Sequence, residues 1–359
     1  MQFGSDNQTG ASRQILEMLT VANSDFTPGY GDDHWCAQAT EALQDVFACD
    51  LEVFFVATGT AANSLALSCL AQPWETILCH HQAHILQDES TAPEFFSGGA
   101  RLIPISSKAG KLQLDHLERY FNLLAGHPPH TPGTGALSIA QANEAGLVYT
   151  PEQVTALCSF AHDHKVHVHM DGARFANAVA ALGCSPADLT WKAGVDVLSL
   201  GATKCGAMVA EAVLFFNQGL AASFIHRRKR SGHLVSKGRF FGAQFVGWLK
   251  DNHWLELAAH ANGQAQRLAM KLASFSSISL RWPCEANELF VTMPRQLADF
   301  LHNSGAEFYQ WPAHGLPTEV ILEKEDIFIR LVTSFVTTDE HIDRFCNFIH
   351  KYESSLNGH

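Results

Sequence analysis

Hydrophobic positions along the chain fall into short apolar runs separated by longer stretches with one apolar face, a strand-and-helix alternation. The runs Leu51 to Ala57, Glu75 to Cys79, Arg101 to Ile105, Leu137 to Ala140, Val166 to Met170 and Val195 to Leu200 read as strands. Helical spacing covers Ala11 to Leu19, His34 to Ala48, Thr58 through Leu70, Leu114 to Leu124, Pro151 to His164 and Phe175 to Leu182. Pro151 suits the first turn of its helix, where no N–H is required. Gly126 to Gly135, rich in Pro, His and Gly, reads as an exposed loop. The alternation up to about residue 216 predicts an α/β domain: a mostly parallel, seven-stranded-type sheet flanked by helices.

After Phe216 the pattern turns helical, over Leu220 to Arg230, Phe240 to Asn252 and Trp254 to Phe275. Strands then return, no longer alternating one-to-one with helices, at Leu280 to Trp282, Glu288 to Met293, Glu307 to Trp311 and Ile327 to Val332. A helix over Pro294 to Ser304 interrupts them, and one from Asp339 to Leu356 closes the chain. This predicts a large domain over residues 1–250, including the N-terminal segment, and a smaller α+β domain over 251–359.

Composition narrows the function classes. The 359 residues are 47% hydrophobic, enough for a substantial core, and no apolar run approaches a membrane span. A net charge of -12 argues against a nucleic-acid partner, and the basic run Arg227 to Arg230 is too isolated to reverse that. Nine cysteines without a CxxC pair, and no signal peptide, point to reduced thiols in a cytoplasmic protein. Twenty histidines show no HExxH or other metal box, so no metal is expected.

The candidate chemistry lies where strands end. His169-Met-Asp171-Gly-Ala-Arg174 closes one apolar strand, and Gly-Ala-Thr203-Lys204-Cys closes the next. Parallel strands joined by a helix place their carboxyl ends on one edge, where open α/β sheets bind ligands. Asp171, Arg174 and Lys204 should therefore share a crevice. An acid, an arginine and a lone lysine suit pyridoxal phosphate: lysine as Schiff base, acid on the pyridinium nitrogen, arginine near the phenolic oxygen. Thr58-Gly59-Thr60 sits at a strand-to-helix junction, a site for the phosphate, although such a turn alone is weak evidence. His84 alone reads as a solvated or capping residue, and rises above that only because pyridoxal-phosphate enzymes commonly stack a ring on the cofactor's face. Glu89, five residues on, would face the same side only roughly. Arg330, inside an apolar strand, reads either as a structural ion pair or as a bidentate clamp for a substrate carboxylate. Tyr30-Gly-Asp-Asp alone reads as a surface turn and helix cap.

Together these stretches resemble the threonine aldolase family of pyridoxal-phosphate enzymes, of aspartate-aminotransferase fold type, over essentially the whole chain. Tyr30-Gly-Asp-Asp, Thr58-Gly-Thr-Ala-Ala-Asn, Ala83-His84, His169 to Arg174, Thr203-Lys204 and Arg330-Leu-Val-Thr occur in the family's order. The wording around Leu189 to Ser199 resembles the low-specificity L-threonine aldolase and phenylserine aldolase branch. The resemblance implies Lys204 as the Schiff-base residue, Asp171 and Arg174 on the ring, Gly59 and Thr60 on the phosphate, and His84 stacked. It implies Ser5 and Arg330 on the substrate carboxylate. It also implies a homotetramer or homodimer, with Tyr30, Lys229 or Lys237 reaching a neighbouring subunit's cofactor. One departure stands out. Where many members carry a histidine near the substrate hydroxyl, this chain has Asn143-Glu144, so the base is either Glu144 or His84 acting through water.

The expected reaction is reversible cleavage of a β-hydroxy-α-amino acid, such as L-threonine, L-allo-threonine or phenylserine, to glycine and an aldehyde. The rivals are β-elimination or racemisation on the same scaffold, and a non-catalytic binding protein of this fold, against which the intact lysine counts. A nicotinamide dinucleotide reading fails because no G-x-G-x-x-G follows an early strand.

Overall fold

The computed structural model describes residues 1–357 apart from 25, 108–109, 124–128, 313–315 and 317–321. The expected helix end at Leu124 and the first part of the Gly126 to Gly135 loop lie outside the described residues. Seven strands form the larger sheet: β1 (Glu52–Val56), β2 (Thr76–His80), β3 (Arg101–Ile105), β4 (Thr134–Ala140), β5 (His167–Gly172), β6 (Val197–Gly201) and β7 (Glu211–Phe215). Their order is β1-β7-β6-β5-β4-β2-β3. β2 to β6 run parallel, whereas β7 is antiparallel to both β6 and β1. The mostly parallel sheet is thus as expected. The reversed β7 is a finding, since an apolar run carries no mark of its direction.

The strands other than β5 place side chains in two cores. Leu198, Leu200, Ala212 and Leu214 face Phe175, Phe245 and Trp248. Val197, Val213, Phe215 and Val56 face Leu65 and Ala66 of the helix Gly59–Leu70. Runs of this kind are apolar throughout because helices cover both faces. A second, four-stranded antiparallel sheet follows: β8 (Ser279–Leu280), β9 (Glu288–Pro294), β10 (Tyr309–Gln310) and β11 (Asp326–Val332), in the order β10-β11-β9-β8. β8 and β10 are shorter than the apolar pattern suggested, each making only two ladder pairs. The core beside this sheet holds Leu268, Val291, Ile329 and Phe345, together with Phe3 from the N-terminus. Burying Phe3 there contributes on the order of 2 kcal/mol, and its backbone bonds to Glu307 and to Val332 of β11 tie the N-terminal segment to this sheet. The helix His253–Leu272 starts in the first core, at Trp254 and Ala258, and ends in this one.

Candidate active site

The carboxyl ends of β4, β5 and β6 open into a cleft of about 560 Å³, whose wall is completed by the N-terminal segment and the second sheet. Sequence dictates the close approach of its two central turns. A Cβ on Gly201, at the end of β6, would lie 2.7 Å from the Ala173 carbonyl oxygen, so only glycine lets β6 run past the Asp171 turn. Lys204 follows on a 3-10 turn, Thr203–Cys205, and lines the cleft with Asp171. Among the described residues its amine has no hydrogen bond or ion-pair partner. Asp171 accepts the Asn63 side-chain N–H at 2.8 Å and the Ala173 amide at 3.0 Å.

Thr58 caps the helix Gly59–Leu70, its hydroxyl accepting the Ala61 N–H. The Gly59 and Thr60 amides have no partner among the described residues, and a Cβ at Gly59 would meet only open space. Unpaired amides at a positive helix end, beside open volume, suit an anion.

His84 opens a single helical turn, His84–Gln87. Its Nδ1 lies 2.8 Å from Glu89 Oε1, and its backbone N–H donates to Glu144 Oε1 at 2.8 Å. Asn63 also donates to Glu89, at 2.9 Å, and so joins that pair to Asp171. The bond to Glu89 raises the His84 imidazole, and burial raises Glu89. Burial also pushes the Glu144 carboxyl up to about 7, partly opposed by the His84 amide. His84, Glu89 and Asp171 offer cation-ligating atoms within 4.8 Å of one another. The hydrogen bonds just given already engage all three.

Arg174 and Arg330 meet through one acid. Arg174 forms a bidentate pair with Asp6, at 2.8 and 3.0 Å, and its Nη1 lies 3.2 Å from Glu288. The other Glu288 oxygen lies 3.4 Å from Arg330 Nη1. The Arg330 guanidinium stacks 3.9 Å from the Trp311 ring centroid. Burial alone would raise the Asp6 carboxyl, but Arg174 and Lys204 overcome it and the net direction is down. Ser5 lines the cleft beside these groups, its hydroxyl capping the turn Asp6–Gln8.

Of the residues singled out from sequence, Lys204, Asp171, Arg174, Gly59, Thr60, His84, Glu144, Ser5 and Arg330 all line this cleft. Tyr30 does not. It is half-exposed at a positive φ of 63°, with Lys229 Nζ 5.2 Å from its ring and its N–H on the carbonyl next to Lys237. Sequence reasoning missed Asp6, Asn63, Glu211 and Glu288. Asn63 was the most accessible of these, standing one turn into the helix that follows the small-residue junction.

The chain's likenesses agree with this arrangement. Residues 2–295 match the sequence model of the beta-eliminating lyase family. The chain is 44% identical over 314 residues to a low specificity L-threonine aldolase of a Pseudomonas species, covering 88% of this chain and 90% of that protein. It is 43% identical, over the same shares, to the enzyme of that name from Pseudomonas aeruginosa. Its fold superposes on a Leishmania major threonine aldolase with a TM-score of 0.90 at 28% identity, covering 98% of this chain and 99% of that one. A shared fold and matches over most of the length place the chain in the beta-eliminating lyase family, within its threonine aldolase branch.

Proposed function

We propose that this protein is a pyridoxal-phosphate-dependent carbon–carbon lyase. It cleaves β-hydroxy-α-amino acids, among them L-threonine, L-allo-threonine and phenylserine, reversibly to glycine and an aldehyde. The observation that carries the reading is an unpartnered Lys204 amine facing the same cleft as Asp171 and Arg330. When bound, the cofactor supplies an electron sink for the Cα–Cβ bonding pair. Lys204 holds it through the side-chain amine, with Gly59 and Thr60 on its phosphate and Arg174 beside its phenolic oxygen. Asp171, fixed by Asn63 and the Ala173 amide, favours a protonated ring nitrogen because an opposite charge stabilises the charged form. Arg330, its plane set by Trp311 and Glu288, grips the substrate carboxylate with Ser5. Glu144 takes the β-hydroxyl proton: a carboxyl near 7 is matched to base catalysis at neutral pH, and the His84 amide aims it.

The test is a visible spectrum of the purified protein, followed by glycine assays with each of the three substrates, for the parent and for Lys204→Ala. The expected result is a cofactor band and glycine release in the parent, both lost in the variant. Normal turnover by Lys204→Ala would sink the assignment. The family model's description favours a second reading, β-elimination, which would release ammonia and a keto acid instead of glycine.

Three broader features belong to the same proposal. The nine cysteines are all unpaired, which supports a reducing, cytoplasmic setting, and among the described residues no helix is long and apolar enough to cross a membrane. The exposed Tyr30–Lys229 pair, outside the cleft, supports a homotetramer or homodimer in which these residues face a neighbour's cofactor. The core beside the second sheet, distinct from the two on the faces of the large sheet, supports a boundary near residue 250.

A further inference from the structure

β7 is the one strand of the large sheet that runs against its neighbours, and so its amino end reaches the edge where the others finish. That amino end is Glu211. It pairs with Val56 of β1 on one side and Gly201 of β6 on the other, two residues before Thr58 and three before Lys204. Val213 and Phe215, alternating with it, lie in the core under the helix Gly59–Leu70. Glu211 therefore faces the same side, level with the helix start, and it lines the cleft with Thr58, Gly59 and Thr60. Only 7% exposed, it accepts the Ala202 N–H at 2.9 Å.

We propose that Glu211 makes anion binding at Thr58–Thr60 proton-linked: a phosphate dianion is admitted together with one proton from solvent, held on the Glu211 carboxyl. The inference rests on the reading of that helix start as the phosphate site. Two anionic groups lining one cleft repel, and protonating the weaker acid relieves the repulsion. Burial already pushes the Glu211 carboxyl up to about 7, against hydrogen bonds from Thr203 and Ala202 and the charge of Lys204, with Asp171 adding to the rise. On the β1 side of the same sheet edge, His233 Nδ1 accepts the Ala57 N–H at 3.3 Å and Arg228 donates to the Phe55 carbonyl at 3.5 Å.

Sulfate is the suitable probe, because it stays a dianion throughout the range. Its affinity for the cofactor-free full chain is measured by calorimetry, with pyridoxal phosphate as competitor. In the parent, sulfate should weaken about tenfold from pH ~6 to pH ~8, as a site needing its proton near 7 requires. Binding near pH 8 should take up about one proton, read from two buffers of different ionisation heat. Glu211→Gln should flatten the slope and bind sulfate more tightly than the parent near pH 8. Competable binding with an unchanged slope in Glu211→Gln, or no proton uptake by the parent, would overturn the proposal alone. No competable sulfate binding in either protein would overturn the phosphate site and the proposal with it.

Discussion

Buried acids lie at both edges of the large sheet, and Asp196 at one edge is held in the opposite state to Glu211 and Glu144 at the other. At the amino end Asp196 accepts the Val168 N–H at 2.8 Å, Asn217 Nδ2 at 3.1 Å and His162 Nε2 at 3.1 Å, with His167 Nδ1 at 3.8 Å. Burial alone would raise its carboxyl, yet these donors hold it down at about 2. At the carboxyl end Glu211 is bonded by the Ala202 N–H and Thr203, and Glu144 by the His84 N–H, and burial pushes both up to about 7. Asp196 and Glu211 are almost equally shielded from solvent, at 8% and 7% exposure, although the Glu211 carboxyl lies deeper in protein. The donors widen that difference. One end spends its acid on holding strands together, and the other leaves its acids able to exchange protons near neutral pH.

The widest separation between the ends should come from Glu144→Gln. Removing the base should lower kcat by about 10²–10⁴ while the cofactor spectrum persists. Stability should move the other way. The folded pKa of Glu144 is raised above its ordinary 4.5, so its contribution is fully present below that value and is lost as pH rises through about 7. Above pH ~7 the variant should therefore be more stable by roughly 1–3 kcal/mol in urea unfolding. A variant with full kcat would move the base to His84.

The contrast between the ends also shows what a sequence reveals. Asp171 and Lys204 are legible because each follows an apolar strand and opens a turn of small residues, a local signature. Glu89 is half-legible. On a continuous helix, residues five apart diverge, but the helix stops at Gln87. That break swings Glu89 back onto His84. Asp6 and Glu288 are illegible, since their partner Arg174 lies 168 and 114 positions away and only the assembled domains bring them together. The strand β7 was hidden for a different reason. Its apolar residues fit either direction, and the direction alone decides whether Glu211 reaches the cleft or the far edge.

Asp196→Asn should cost about 2 kcal/mol at neutral pH, because the donors gathered around the carboxylate lose their charged acceptor. The sign with pH is opposite to that of Glu144. A depressed folded pKa contributes stability above the ordinary 3.8, lost as pH falls through about 2. The gap between parent and variant in urea midpoint should thus close in strong acid. The kcat of the folded variant should match the parent, and a fall of tenfold or more would show that the two ends are coupled through the strands.

The smallest effect belongs to His162→Gln. The imidazole is 43% exposed and gives Asp196 one bond among several, so water can replace much of what is lost. The cost should be about 0.5–1 kcal/mol by denaturant midpoint, with no change in kcat or in the affinity for amino acid. A loss larger than that of Asp196→Asn would make the histidine, not the acid, the organiser of the amino end. It would also undo the argument that donor number around a carboxylate helps set its state, because removing one donor of several would then outweigh removing the charge they share.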